Sequence, residues 1–240
     1  MLVTRPEPDA TDTAARLAAL DIEPVKLPLF ERKTLNTSLP DANGFAALAL
    51  TSANALRALA DRGMVARYQN IPVLTVGDHT AREALALGFK TVSSAGGHFG
   101  DLVEHIARQN LQGPVLYPAG TQLAGDLAKS LAPLGIMVVT ARIYDMPAIT
   151  EIPQETLAEI EAAKLAAALF YSRRAAQTFA ALTEALSAKA RSRLAVLCLS
   201  ENVAAPLIAN RFVRASLADY PSEEAMMALA LSFARDQNAS

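Results

Sequence analysis

The chain has 240 residues, which is long for one domain and sufficient for two domains with separate cores. Its net charge is −2, so no overall positive field exists to attract nucleic acid or an anionic membrane surface. Met1 is followed by LVTRP, which is not a signal peptide pattern, and no apolar run is long enough to span a bilayer. The single cysteine, Cys198, cannot form an intrachain disulfide. We therefore expect a cytoplasmic protein that binds neither nucleic acid nor a membrane.

Short strands and helices alternate along the chain. The first predicted strand, Leu2–Thr4, precedes a helix over Asp9–Leu20 and an extended, proline-punctuated run over Glu23–Lys33. Further strands are predicted at 46–50, 73–76, 91–93, 115–117, 167–171, 194–199 and 213–215. Helices are predicted at 53–62, 80–87, 100–108, 123–134, 154–163, 174–186, 203–211 and 222–235. This alternation is typical of right-handed βαβ units and predicts an α/β protein with helix-covered parallel sheets.

The longest strand-like run is Ile136–Pro147, IMVVTARIYDMP, which is rich in β-branched residues and closed by a proline. It has about twice the length of an ordinary strand. We therefore expect this run, like Glu23–Lys33, to cross from one body of the protein into another.

These two runs belong to an internal duplication. The segments that match in pattern are 15–31 with 129–145, 46–59 with 166–179, and 72–92 with 195–215. Tyr144 is the hydroxyl-bearing copy of the position that Phe30 occupies in the other segment. The matches predict two similar α/β lobes joined by two crossing strands with a cleft between them. One lobe is discontinuous, residues 1–33 with 148–240, and the other is continuous, residues 36–145.

Small and polar residues follow several predicted strands, at the edge where parallel α/β sheets bind ligands. The candidate ligand-binding residues at these turns are Thr51, Ser52, Asn54, Gly77, Ser172, Arg173, Ser200 and Asn202. The same residue types also cap helices, so capping is the alternative at each single turn. As a set facing a cleft, they predict a cavity for an anionic ligand.

Motifs for nucleotides, metals and nucleophiles are incomplete. Gly120 and Gly125 have Walker-type spacing without the lysine that would meet phosphate, and the three histidines lack metal-ligand spacing. The remaining candidates are Tyr144, Arg5 and Arg173. A tyrosine on a crossing strand can offer its proton to a leaving oxygen, or it can be a half-buried interface aromatic. Arginines at strand ends can bind carboxylates, or they can be plain surface charges.

One set of segments, taken in order, covers nearly the whole chain. They are LVTRPEPDATDTAARLAALDIEPVKLPLF, ALTSANAL, VLTVGDHTAREALALGF, LYPAGTQLAGDLAKSLAPLGIMVVTARIYDM, LFYSRRAAQTF and PSEEAMMAL. Together they resemble uroporphyrinogen-III synthases, with Arg-Ile-Tyr as the best marker. Basic residues common in that family are replaced here by Ala119 and Ala124, and Glu201 places a negative charge in a turn expected to meet an anion.

The resemblance implies a bilobal lyase without a cofactor or metal. Such an enzyme closes the linear tetrapyrrole hydroxymethylbilane with loss of water and inverts the last ring through a spiro intermediate. Tyr144 matches the family's tyrosine, which implies that it protonates the leaving hydroxide. The resemblance also implies a monomer that binds this polycarboxylate substrate and makes a transient contact with the preceding deaminase.

A function from another class remains open. A two-lobed cytoplasmic protein that binds an anionic small molecule without catalysis would share the crossing strands and the cleft. Tyr144→Phe separates the two hypotheses, because a binding protein needs only the aromatic ring whereas a proton donor needs the hydroxyl.

Overall fold

The strands of this chain form two separate sheets in the computed structural model, which describes residues 1–238. The strands are β1 Leu2–Val3, β2 Val25–Lys26, β3 Lys33–Thr34, β4 Ala47–Leu50, β5 Val73–Thr75, β6 Val92–Ser94, β7 Val115–Gly120, β8 Val138–Asp145, β9 Ala167–Phe170, β10 Ala195–Cys198 and β11 Ala215–Leu217. The helices are α1 Asp9–Ala18, α2 Ala53–Asp61, α3 Val65–Tyr68, α4 Asp78–Ala86, α5 Phe99–Ala107, α6 Leu127–Leu131, α7 Gln154–Glu161, α8 Arg173–Leu182, α9 Ala188–Arg193, α10 Glu201–Ala209 and α11 Glu223–Asn238. No helix in this described part of the chain is long and apolar enough to cross a membrane.

The chain divides into two units. Unit 1 consists of Met1–Glu31 and the chain from Pro147 onward, and unit 2 consists of Arg32–Met146. The sheet of unit 1 has the order β11-β10-β9-β1-β2 and is parallel throughout. The sheet of unit 2 has the order β3-β8-β7-β4-β5-β6, in which only the edge strand β3 is antiparallel. The predicted α/β class with two similar parallel sheets is therefore confirmed.

The strand registers confirm the internal duplication. Strands β1, β2, β9, β10 and β11 of unit 1 occupy the places of β7, β8, β4, β5 and β6 in unit 2. Leu2 pairs with Val25 in unit 1, and Leu116 pairs with Val139 in unit 2, so both partners are displaced by the same number of positions. The short helices α3 and α9, which the sequence pattern did not predict, also lie at corresponding points of the two units.

Both predicted runs, Glu23–Lys33 and Ile136–Pro147, pass from one unit to the other as expected, but neither is one continuous crossing strand. The run Glu23–Lys33 includes β2 in the sheet of unit 1 and the start of β3 in the sheet of unit 2, and Pro28 between them provides no N–H for a continuous ladder. Strand β8 lies wholly in the sheet of unit 2 and ends before Pro147. The connections between the units are therefore loop segments that follow or precede strands.

The segment after β7 also differs from its prediction. Strand β7 extends through Pro118 to Gly120, three residues beyond the predicted end, because β7 continues to pair with β8 after its pairing with β4 has stopped. The predicted helix over 123–134 is shorter and begins at Leu127, where the Asp126 carboxylate accepts a hydrogen bond from the backbone N–H of Lys129 at 3.0 Å.

The core of unit 1 contains a run of aromatic contacts. The ring of Phe179 lies edge-on to Phe170 at a centroid distance of 5.1 Å and is tilted against Phe212 at 5.7 Å. All three rings are buried.

We expect Phe179→Ala to lower the free energy of unfolding by about 3–5 kcal/mol, because it leaves a cavity between two aromatic rings. Urea denaturation followed by circular dichroism measures the change. Leu85→Ala is the control, since Leu85 is exposed and its loss should matter by less than about 0.5 kcal/mol. Equal effects of the two substitutions would contradict the proposed packing.

Candidate functional site

Tyr144 lies near the carboxyl end of β8, between two neighbouring strands. It is in register with Gly120 of β7 and with Thr34 of β3. Its backbone carbonyl accepts a hydrogen bond from the N–H of Thr121 at 3.0 Å. The residue is only 7% exposed. The strand pairing therefore holds Tyr144 at the edge of the sheet where parallel strands end.

Gly120 makes room for the ring of Tyr144. A Cβ atom at position 120 would lie 2.9 Å from Cε2 and 3.0 Å from Cζ of that ring. The backbone φ of Gly120 is not in the left-handed region, so the glycine serves the close approach and not a turn. Tyr144 therefore packs directly on the backbone of the neighbouring strand.

Ser52 and the backbone of Gly120 are placed to form hydrogen bonds with the phenolic oxygen of Tyr144. Ser52 is the N-cap of α2, and its Oγ accepts a hydrogen bond from the N–H of Asn54 at 3.2 Å. Burial raises the pKa of Tyr144, and the nearby Tyr117 adds to the rise, whereas the two hydrogen bonds lower that pKa. The phenol is therefore neutral at pH 7, and its conjugate base has two supporting partners.

A second tyrosine approaches the same edge from the opposite face of the sheet. Tyr117 of β7 packs with Ala47 and Ala49 in one core, while Tyr144 belongs to the core on the other face. The hydroxyl of Tyr117 lies 2.9 Å from Oγ1 of Thr51, which follows β4 directly. Thus two tyrosine hydroxyls lie beside two adjacent side chains, Thr51 and Ser52. We call these four residues the hydroxyl site.

Tyr117 was not among the residues that the sequence analysis selected. A tyrosine in place of phenylalanine within an otherwise apolar strand was the available signal, since a buried phenol requires a hydrogen-bond partner. The hydroxyl site contains no charged side chain, so it can donate hydrogen bonds to oxygen atoms and hold a proton.

Asn54 and Gly77, the other candidates in unit 2, have structural partners. The side-chain oxygen of Asn54 accepts a hydrogen bond from Arg57 at 3.3 Å, and the same guanidinium binds the carboxylate of Glu83 through contacts of 2.7 and 3.0 Å. Gly77 is the N-cap of α4, where a Cβ atom would lie 3.6 Å from Cα of Gly97. Asn54 is thus tied to an ion pair, and Gly77 allows two turns to approach each other.

Arg5 lies in an ion cluster of unit 1. Its guanidinium donates to Glu223 at 2.6 Å and to Asp9 at 3.0 Å, and it lies 4.5 Å from the ring centre of Tyr171. The hydroxyl of Tyr171 donates to Glu223 at 3.2 Å. With an exposed side-chain fraction of 18%, Arg5 is neutralised by two carboxylates that a ligand carboxylate would have to displace.

The four remaining candidates are at the ends of β9 and β10 in unit 1. Arg173 is exposed and donates to the backbone oxygen and to Oδ1 of Asn202 at 3.1 and 2.9 Å. Ser172 caps α8 by accepting from the N–H of Ala175 at 3.1 Å, and Ser200 is the N-cap of α10. Among residues 1–238 no carboxylate pairs with Arg173, so its charge is oriented by a neutral partner and remains available.

The cysteine and the potential metal ligands are the alternatives to the hydroxyl groups. Burial raises the pKa of the Cys198 thiol to about 12, which keeps it protonated and unreactive. In the part of the chain that the structure describes, no three or more His, Cys, Asp or Glu residues cluster as potential metal ligands.

We expect the phenol of Tyr144 to ionise above the ordinary tyrosine value of 10.0, because burial disfavours the phenolate. The difference in tyrosinate absorbance between the wild type and Tyr144→Phe during a pH titration measures this ionisation. Since the pKa is higher in the folded state, the stability that the neutral phenol provides is complete below a pH of about 10 and is lost as the pH rises toward the folded value. Half-ionisation below pH 10 would contradict the buried environment.

Comparisons with known proteins agree with this architecture. A family model described as uroporphyrinogen-III synthase HemD matches residues 11–228. The search among curated proteins found no match. The chain is similar to uroporphyrinogen-III synthetase from Helicobacter pylori 26695, whose crystal structure superposes with a TM-score of 0.65. The two sequences are 23% identical, and the match covers 88% of this chain and 92% of that chain.

A second similar structure is a mutant uroporphyrinogen III synthase from the extremely thermophilic bacterium Thermus thermophilus. Its sequence is 16% identical, the match covers 100% of both chains, and the TM-score is 0.58. At these identities the two structures establish the likeness of fold alone. Because the family model spans most of the sequence, the chain belongs to the uroporphyrinogen-III synthase family.

Proposed function

We propose that this chain closes hydroxymethylbilane to uroporphyrinogen III, with loss of water and inversion of the last ring through a spiro intermediate. Family membership over residues 11–228 supports the reaction. The observation that supports the assignment of a catalytic group is the buried phenol of Tyr144, which packs on Gly120 at the carboxyl end of β8.

In the proposed first step, Tyr144 donates its proton to the hydroxyl group that leaves the terminal carbon of the substrate. The carbon–oxygen bond breaks, the proton and the hydroxyl leave as water, and the carbon becomes a cation conjugated with its pyrrole nitrogen. Hydrogen bonds from Ser52 and from the backbone of Gly120, the two groups that lower the pKa of Tyr144, would then stabilise the phenolate, which takes back a proton when the new ring system loses one.

The later steps require geometry more than reactive groups. The cation is electrophilic enough to be attacked by a pyrrole carbon, so no enzymic nucleophile is needed. Attack at the substituted carbon gives the spiro intermediate, whereas plain head-to-tail closure gives the type I isomer. The protein therefore has to hold the ends of the tetrapyrrole in one arrangement.

The substrate carries many carboxylates, and Arg173 supports a binding role at the edge of unit 1. Its guanidinium is exposed, held by Asn202, and flanked by the helix N-caps Ser172 and Ser200. A guanidinium held in this way has lost part of its conformational freedom before the ligand arrives, which reduces the entropy cost of binding. Glu201 follows directly in the first turn of α10 and weakens the positive potential there.

We propose a monomeric cytoplasmic enzyme that receives its unstable substrate from the preceding deaminase through a transient contact. The rival proposal, a binding protein without catalysis, rests on the same polar turns. Turnover of hydroxymethylbilane distinguishes the two proposals, because only an enzyme would show it.

We expect the protein to form mostly the type III isomer when hydroxymethylbilane is generated in place by a deaminase. Oxidation and chromatographic separation of the porphyrin isomers measure the product. Tyr144→Phe should lower the rate of type III formation by about 10²–10⁴ with the fold intact, the range typical of a lost general acid. Tyr220→Phe is the control, because Tyr220 is 59% exposed and should leave the rate unchanged. Only type I isomer from folded wild-type protein would overturn the proposal and favour the binding protein.

For Arg173→Ala we expect a rise in KM of about tenfold with little change in kcat, because a substrate carboxylate loses its charged partner in the ground state and in the transition state alike. The KM of Arg173→Lys should lie between those of the wild type and Arg173→Ala, since an ammonium keeps the charge but not the forked geometry. Arg108→Ala removes an exposed arginine that follows α5 directly and pairs with Glu104 of that helix, and it serves as the control. Equal KM values for the Arg173 and Arg108 variants would exclude the binding role.

A further inference from the structure

The side chain of Tyr117, including its hydroxyl, lies in an apolar core. The residue is 1% exposed and packs among alanine and leucine side chains, where a phenylalanine would fill nearly the same volume. Within residues 1–238 its hydroxyl makes one hydrogen bond, to Thr51 at 2.9 Å. A single buried hydrogen bond makes a modest contribution to stability, which leaves room for a second role of the phenol.

The position of Thr51 indicates what the hydrogen bond does. Thr51 is half-buried in the turn between β4 and α2, and it precedes Ser52, which lowers the pKa of the nearby Tyr144. Either hydroxyl of the Tyr117–Thr51 pair can be the donor. A phenol is the stronger acid, and when it donates, the proton of Thr51 is free to point toward a second acceptor outside the core.

Two hydroxyl pairs therefore stand side by side at one edge of the sheet of unit 2. The pair Tyr144–Ser52 holds the proposed proton donor, and the pair Tyr117–Thr51 holds a second hydroxyl next to it. The two tyrosines are close enough to influence each other electrostatically. The hydrogen bond to Tyr117 restricts the rotation of the Thr51 side chain.

We infer that Tyr117 is a positioning residue, which orients the hydroxyl of Thr51 so that it donates a hydrogen bond to a carboxylate of the tetrapyrrole beside Tyr144. This inference rests on the proposed function. Tyr117 does not touch the substrate, so its whole effect passes through Thr51. Removal of either hydroxyl should abolish the same contact with the substrate. Removal of both should therefore raise KM no more than removal of one.

The test is a double-mutant cycle with hydroxymethylbilane generated in place. We expect Tyr117→Phe and Thr51→Val each to raise KM about tenfold with kcat within about twofold of the wild type, because the contact is made in the ground state as well. The variant that carries both changes should show the same tenfold rise. Thr51→Ser, which keeps the hydroxyl, should restore KM to within about threefold.

Tyr68→Phe is the matched control. Tyr68 is fully buried in the same unit, and its hydroxyl donates to the backbone oxygen of Pro40 at 2.6 Å, away from Thr51. This variant loses a buried hydrogen bond, so its thermal midpoint should fall while KM stays unchanged. An unchanged KM for Tyr117→Phe, or a hundredfold rise for the double variant, would overturn the positioning role.

Binding of uroporphyrin III, followed by its fluorescence, separates this inference from the proposed function. If the wild type forms only the type I isomer, the proposed reaction fails. The positioning role then stands only if Tyr117→Phe and Thr51→Val weaken porphyrin binding equally and without additivity. If the wild type forms type III and Tyr117→Phe affects neither KM nor porphyrin binding, the reaction stands and the positioning role fails.

Discussion

The register between β7 and β8 is the constraint on which the site depends. In that register Gly120 lies opposite Tyr144, and the absence of a side chain lets the ring pack against the strand with its oxygen near Ser52. A slip by one residue would turn the ring to the other face of the sheet. The irregularity between Ala119 and Gly120 ends the regular ladder at this point. The position of Tyr144, the proposed proton donor, is thus set by backbone pairing in the sheet.

The two units carry different side chains at equivalent positions of the same fold. At the place of Tyr144, unit 1 has Phe30, whose ring lies 4.2 Å from the guanidinium carbon of Arg174. Where unit 2 has Thr51, the matching residue of unit 1 is Tyr171, which bonds Glu223. Equivalent backbone positions therefore support an uncharged hydroxyl site in unit 2 and ionic contacts in unit 1.

The two units differ in charge at another pair of equivalent positions. Position 119 of unit 2 matches Arg5 of unit 1 by the same offset that relates Leu116 to Leu2. Arg5 is held by Asp9 and Glu223, whereas Ala119 is buried without charge. The matching positions therefore hold a paired charge in unit 1 and an apolar side chain in unit 2.

Sequence pattern was sufficient to predict the α/β class and the duplication, because apolar periodicity and matching segments depend on local pattern and are preserved in both copies. It could not determine strand lengths at Pro28 and Pro118, since the effect of a proline depends on which neighbour would have accepted its missing hydrogen bond. Only the tertiary structure decided that Arg5 is neutralised, that Arg173 is not, and that Tyr117 reaches Thr51. These facts depend on contacts between residues far apart in the chain, and the free energy of a charge or a buried hydroxyl is set by those contacts and not by its neighbours in sequence.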